Sequence, residues 1–160
     1  MADLRALTLT PEWAWAVTHL DKRVENRTWP APAHIIGQRI ASHAGKADPD
    51  WNTVAVMARC AGWSVDLIAG QFFAPGSDAP VVRPAKLYGT QHRLTRGAIV
   101  ATAIVSGCRA VDQRAAVGWE AGPWCWDLAD VRVLSAPVPC KGALGLWRVP
   151  AELAEAVLRG

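Results

Sequence analysis

Lys22-Arg23-Val24-Glu25-Asn26-Arg27-Thr28-Trp29 is the stretch on which the reading of this 160-residue chain turns. It alternates well enough to predict a strand, ended by Pro30 and Pro32, because proline cannot donate to a sheet ladder. Side chains alternate across a strand, so Arg23, Glu25 and Arg27 are expected on one face and Lys22, Val24, Asn26 and Thr28 on the other. A carboxylate between two guanidiniums would be held ionised and oriented, ready to accept from a base amine while the arginines address phosphate or carbonyl. An ordinary surface strand with an ion-pair ladder would show the same pattern.

Upstream, residues 4–9 alternate as a short strand. Thr10-Pro11-Glu12 then reads as a helix start: a capping Thr, a Pro preset for the first turn, and an acid against the positive helix end. That helix carries Trp13, Ala16, Val17 and Leu20 on one face and stops near Asp21. Downstream, residues 35–43 predict a second strand, and Asp48-Pro49 a helix running to Gly62. Residues 75–97 form a long loop insertion with little periodicity. The apolar run from Ala98 to Val105 predicts a central buried strand. Further strands are expected over 124–134 and 144–149, and a terminal amphipathic helix over 151–159. Strands and helices do not alternate as in a doubly wound sheet, so the fold class is α+β, a small β-barrel with flanking helices. The length fits one domain spanning residues 1–160.

The composition is globular, with 51% hydrophobic and 19% charged residues. No apolar run is long enough for a membrane span, and the first residues lack the basic start and apolar stretch of a signal peptide, so a cytoplasmic location is expected. Cys60, Cys108, Cys125 and Cys140 are widely spaced and read as reduced thiols; neither a metal nor a cofactor is expected. The net charge of +3 is mild, but its distribution is uneven. Between Asp78 and Asp112 lie Arg83, Lys86, Arg93, Arg96 and Arg109 with no acid, a candidate surface for a nucleic-acid backbone. Nine tryptophans exceed what one small core requires, so some are expected to stack on a ligand. Trp29, which follows the charged strand, and Trp124 and Trp126, two apart and hence on one face, are the candidates, with Trp119 nearby. His43 and Lys46, at a glycine turn, form a further candidate ligand site.

The string P-x-W-A…K-x-V-E-N-R-x-W, followed by Ser42-His43-Ala44-Gly45-Lys46, resembles the ASCH domain of the PUA-like superfamily. So do Gly97-Ala98-Ile99-Val100, Gly122-Pro123-Trp124-Cys125-Trp126 and Lys141-Gly142-Ala143-Leu144-Gly145-Leu146-Trp147, in the right order. The resemblance covers about residues 4–46 and 97–149, leaving 48–96 without a counterpart. It implies a PUA-like β-barrel with a cleft between barrel and helices, and binding of RNA or DNA. A relative of the family is an amidohydrolase acting on acylated cytidine, whose strand carries Lys, then Thr, then Arg. Lys22 and Arg27 match the first and third positions, whereas Glu25 stands at the Thr position and replaces a hydroxyl nucleophile by a carboxylate.

The first expectation is therefore a binding module that holds RNA, single-stranded DNA or a modified nucleobase in a basic, Trp-lined cleft. Arg23, Arg27, Trp29, His43, Lys46, Trp124 and Trp126 are its candidate ligand contacts, and Arg83, Lys86, Arg93 and Arg96 its backbone contacts. The alternative is a hydrolase of the same fold, an amidohydrolase on a modified nucleoside or a ribonuclease, with Lys22 and Glu25 as acid/base pair. An adaptor holding a peptide in the same cleft is the third.

Overall fold

The computed structural model describes residues 3–50, Thr53, Met57, residues 94–112 and residues 114–160. Six strands form one mixed sheet: β1 (Arg5–Leu9), β2 (Val24–Arg27), β3 (Arg39–Ala44), β4 (Ala98–Ala110), β5 (Trp124–Pro139) and β6 (Leu146–Arg148). Their order is β2-β5-β4-β3-β1-β6. Only β1 and β3 run parallel; every other pair is antiparallel. The sheet curls into a half-barrel, and two helices, α1 (Pro11–His19) and α2 (Ala151–Arg159), pack against it. An α+β small barrel is thus what the residues build. Among the described residues, no helix is long and apolar enough to cross a membrane.

The apolar run at Ala98 does become an inner strand, longer than expected at both its own end and that of its partner β5. Its register against β5 slips between Ile99 and Ala101, Thr102 and Ile104, and Val105 and Gly107. Such irregularities bend a strand and raise its twist, which curls the sheet. At one of them Asp130 takes a left-handed φ of 43°. Its carboxylate is held by Arg132 at 2.7 Å and by Arg39, and these cations keep its pKa below the usual carboxylate range, Arg132 most strongly.

One face of the sheet, with Leu7, Leu9, Ile40, Val105 and Trp126, buries a core against Ala14 and Val17 of α1. The other, with Ala6, Ala41, Ile99 and Leu134, is covered by Ala154 and Val157 of α2. We call these the inner and outer faces.

Several expected boundaries move. The strand expected over 35–43 begins only at Arg39, because Ala33–Ile35 is a 3-10 turn and Gly37 takes a φ of 82° that breaks the extended path. The strand expected over 22–29 is confined to Val24–Arg27. The last strand shortens to Leu146–Arg148, after Gly145 at φ 66°. Thr10 precedes α1 as expected, but its side chain makes no cap hydrogen bond; Pro11 and Glu12 occupy the first turn. The helix expected over 48–62 lies almost wholly outside the described residues, as do Cys60 and nearly all of the 75–97 insertion.

Candidate functional site

The short β2 is where the sequence pattern and the molecule differ most usefully. α1 ends at His19 with Leu20 as its C-cap, and Asp21 adopts a left-handed φ of 57°, a conformation that Asp tolerates better than most residues. The chain reverses there, and the Lys22 amide donates back to the Ala16 carbonyl at 3.2 Å. Lys22 therefore precedes the strand instead of lying on it, and strand parity does not govern it. Its side chain is 1% exposed and turns inward, donating from Nζ to Glu25 Oε2 at 3.0 Å and to the Val24 carbonyl. The ammonium also stands 5.5 Å from the Trp13 ring centre, within cation–π reach.

Glu25 and Arg27 share the inner face, as period two requires. Glu25 lies opposite Trp126 and Arg27 opposite Trp124 on β5. The Glu25 carboxylate has a cation on each oxygen: Lys22 on Oε2 and Arg27 Nε at 3.3 Å from Oε1. The second contact is an ion pair without hydrogen-bond geometry, and Arg27 Nε is buried with no hydrogen-bond partner. Arg27 Nη2 donates to the Thr8 carbonyl at 3.2 Å. Two cations thus face one carboxylate, leaving one positive charge over.

Arg23 does not join this group. It is exposed, pairs with Asp21 at 2.6 Å and donates to the carbonyls of Val17 and Lys22. The expected Arg23–Glu25–Arg27 sandwich is replaced by Lys22–Glu25–Arg27, because β2 starts one residue after Arg23. The aromatic candidates also divide. Trp126 is fully buried, donating from its indole to the Trp29 carbonyl at 3.2 Å, so no base can reach its ring here. Trp29 packs edge-on against it at 4.8 Å and stays partly exposed, as does Trp124.

His43 and Lys46 belong elsewhere. His43 is 1% exposed, beside Trp147, whose ring meets it edge-on at 5.6 Å. Its Nε2 faces the Cys140 carbonyl at 3.1 Å and so carries the proton, which leaves Nδ1 a buried acceptor with no partner. Burial lowers the His43 pKa; the Cys140 carbonyl opposes this and the charge of Lys46 adds to it. Lys46 itself is exposed, its stem lying along Gly97. Of the expected backbone contacts, Arg83, Lys86 and Arg93 lie outside the described residues, and Arg96 pairs with Asp48 at 2.5 Å.

Three residues were not singled out from sequence as site residues. Trp13, assigned to a core face, covers Lys22. Thr8 supplies the carbonyl that Arg27 grips. Asn26 accepts from the amides of Ala121 and Gly122 and from the Cys125 thiol, and donates to the Trp119 carbonyl at 2.9 Å. It fastens the 119–122 loop onto the outer side of β2. Glu120, at the end of that loop, is held by Arg109 at 2.6 Å, which depresses its pKa. A separate groove of about 460 Å³ lies on another flank of α1, lined in part by Trp15, Thr18, Val100, Val133 and Leu134; none of Lys22, Glu25 and Arg27 reaches it. No protein-family model matches this chain, and no curated protein matches it either.

Proposed function

We propose that the chain is a nucleic-acid-binding module of the PUA-like, ASCH kind, holding a base of RNA or single-stranded DNA, or a modified nucleobase, at the Lys22–Glu25–Arg27 cluster. The observation that carries this reading is the Glu25 carboxylate, buried and fixed by a cation on each oxygen, with partly exposed indoles at Trp13, Trp29 and Trp124. Each carboxylate oxygen keeps a lone pair for an amine or imide N–H, and the unspent charge of Arg27 suits a carbonyl or phosphate. Base stacking on an indole contributes about 1–3 kcal/mol and tolerates any base, so the carboxylate would supply the discrimination. The test is tryptophan quenching by short RNA, single-stranded DNA and nucleosides. Glu25→Gln keeps the side chain's shape and should abolish binding at a temperature where circular dichroism shows the variant folded. Undiminished binding by Glu25→Gln would refute the reading.

The direct Lys22–Glu25 contact at 3.0 Å also favours a second reading, a hydrolase with these two as proton donor and acceptor. Acetate release from acylated cytidine and cleavage of labelled RNA test it. Activity must appear in the native chain and vanish in Lys22→Met, checked for folding at the working temperature.

A further inference from the structure

Every described lysine and arginine except Lys46, Arg114 and Lys141 has a carboxylate within 4.0 Å. Two of these three exceptions, Lys46 and Lys141, sit on segments joined through Gly97 and Cys140. The Lys46 stem covers Gly97, whose carbonyl accepts from the Cys140 amide at 3.1 Å, and Lys141 follows Cys140. The ground beneath Lys141 is firmly held. The Cys140 carbonyl takes the His43 Nε2 proton, and a Cβ on Gly142 would stand 2.6 Å from both His43 Nδ1 and Thr8 Oγ1, so only glycine fits. A held backbone carrying two ammonium groups with no carboxylate partner among the described residues suits a polyanion contact, since the backbone beneath them needs no ordering on binding.

Its position relative to the Glu25 cluster is equally specific. β6 pairs with β1 only over Arg5–Leu7, while β3 still pairs with it at Thr8 and Leu9, so Thr8 stands on a sheet edge that β6 leaves open. The Thr8 carbonyl receives Arg27 from one side, while its register partner on β3 is His43. Arg27 thus grips Thr8 directly, and Gly45 and Gly142, the chain neighbours of Lys46 and Lys141, lie against the Thr8 side chain.

We infer that Lys46 and Lys141 form a phosphate-contact subsite beside the Glu25 cluster, so that the ligand is a strand of two or more nucleotides rather than a free base or nucleoside. This rests on the reading that the cluster holds a base. A base seated there leaves its neighbouring phosphates at the rim near Thr8, where the two ammonium groups neutralise them.

The experiment compares a nucleoside, by tryptophan quenching, with labelled RNA and DNA tetranucleotides, by anisotropy over a range of salt, using the full chain. Lys46→Ala and Lys141→Ala should each weaken tetranucleotide binding several-fold and lower the log–log salt slope by about 1. Nucleoside affinity should not change. Arg114→Ala, which removes the third cation without a carboxylate partner among the described residues, at the β4–β5 connection, should have no effect on either ligand. Equal loss in Arg114→Ala would reduce the subsite to net charge and overturn it. A tetranucleotide bound no better than a nucleoside would overturn it while leaving the cluster reading intact. Tetranucleotide binding insensitive to Glu25→Gln would overturn both.

Discussion

Arg27 joins β2 to Thr8 of β1, strands four places apart in the sheet order, through a hydrogen bond of 3.2 Å across the side where the half-barrel stays open. The same guanidinium faces Glu25 on its own strand. Its removal should therefore cost stability as well as charge. Arg27→Ala is expected to lose about 1–3 kcal/mol, because the Thr8 carbonyl and one Glu25 oxygen lose their partner. Arg27→Lys, which cannot address both at once, should recover only part. Denaturant midpoints measure this; an unchanged midpoint for Arg27→Ala would show that the seam is held by packing alone.

Lys22 and Glu25 form a pair of which both members are mostly removed from solvent. Breaking such a pair from one side strands a charge, at a cost of about 3–5 kcal/mol where burial is complete. Arg27 still serves Glu25, so Lys22→Met should cost less than that. Lys22→Met combined with Glu25→Gln should cost less than the sum of the two, and a double-mutant cycle by urea unfolding gives the difference. Strict additivity would mean that Lys22 acts through its stem.

His43 gives the fold a dependence on acid. Its native pKa is lowered, chiefly by burial, while the unfolded imidazole titrates near 6.5. Above that value both states are neutral and His43 makes no pH-dependent contribution. As the pH falls below about 6.5, the unfolded chain takes up a proton that the native chain refuses until its own lower pKa is reached, so stability declines. The decline is bounded at about 1.4 kcal/mol per pH unit for one proton. Urea midpoints followed from pH 7.5 to pH 5 should show this slope in the native sequence and a shallower one in His43→Gln. Identical slopes would assign the acid sensitivity to other groups.

Gly142→Ala should destabilise by about 1–3 kcal/mol, the usual cost of overpacking, since the new methyl would meet His43 and Thr8. Gly118→Ala is the comparison: it meets nothing within 4 Å, and only its φ of 60° resists the change. A thermal melt that ranks Gly118→Ala below Gly142→Ala would show that the crevice relaxes.

The strands with a strong period or apolar run, β1, β4 and the start of β5, were legible in the sequence, as was the inner-face pairing of Glu25 with Arg27. Lys22 was not. Its chemistry depends on a left-handed Asp21, and no alternation rule reports where a strand begins after a reversed turn. Trp126 illustrates the opposite limit: spacing placed it on one face with Trp124, but only the closed core shows that Trp29 covers it. The grouping of Lys46 with Lys141 was beyond any local pattern, because Gly97 and Cys140 bring together residues 95 positions apart.

The pairing of β1 has a consequence for how the chain is made. Arg5 stands opposite Ile40 on one side and Arg148 on the other, so the first strand bonds to one of the last. A chain growing from a ribosome at about 5–20 residues per second emerges N-terminus first. β1 must then wait, one edge bare, until Leu146–Arg148 has appeared. Contacts of such long separation also slow the search that follows release, because loop closure must be met before they reward it. During that interval the exposed edge is a template for other strands. Crowded synthesis without a holding chaperone should therefore yield aggregates before it yields defective native protein.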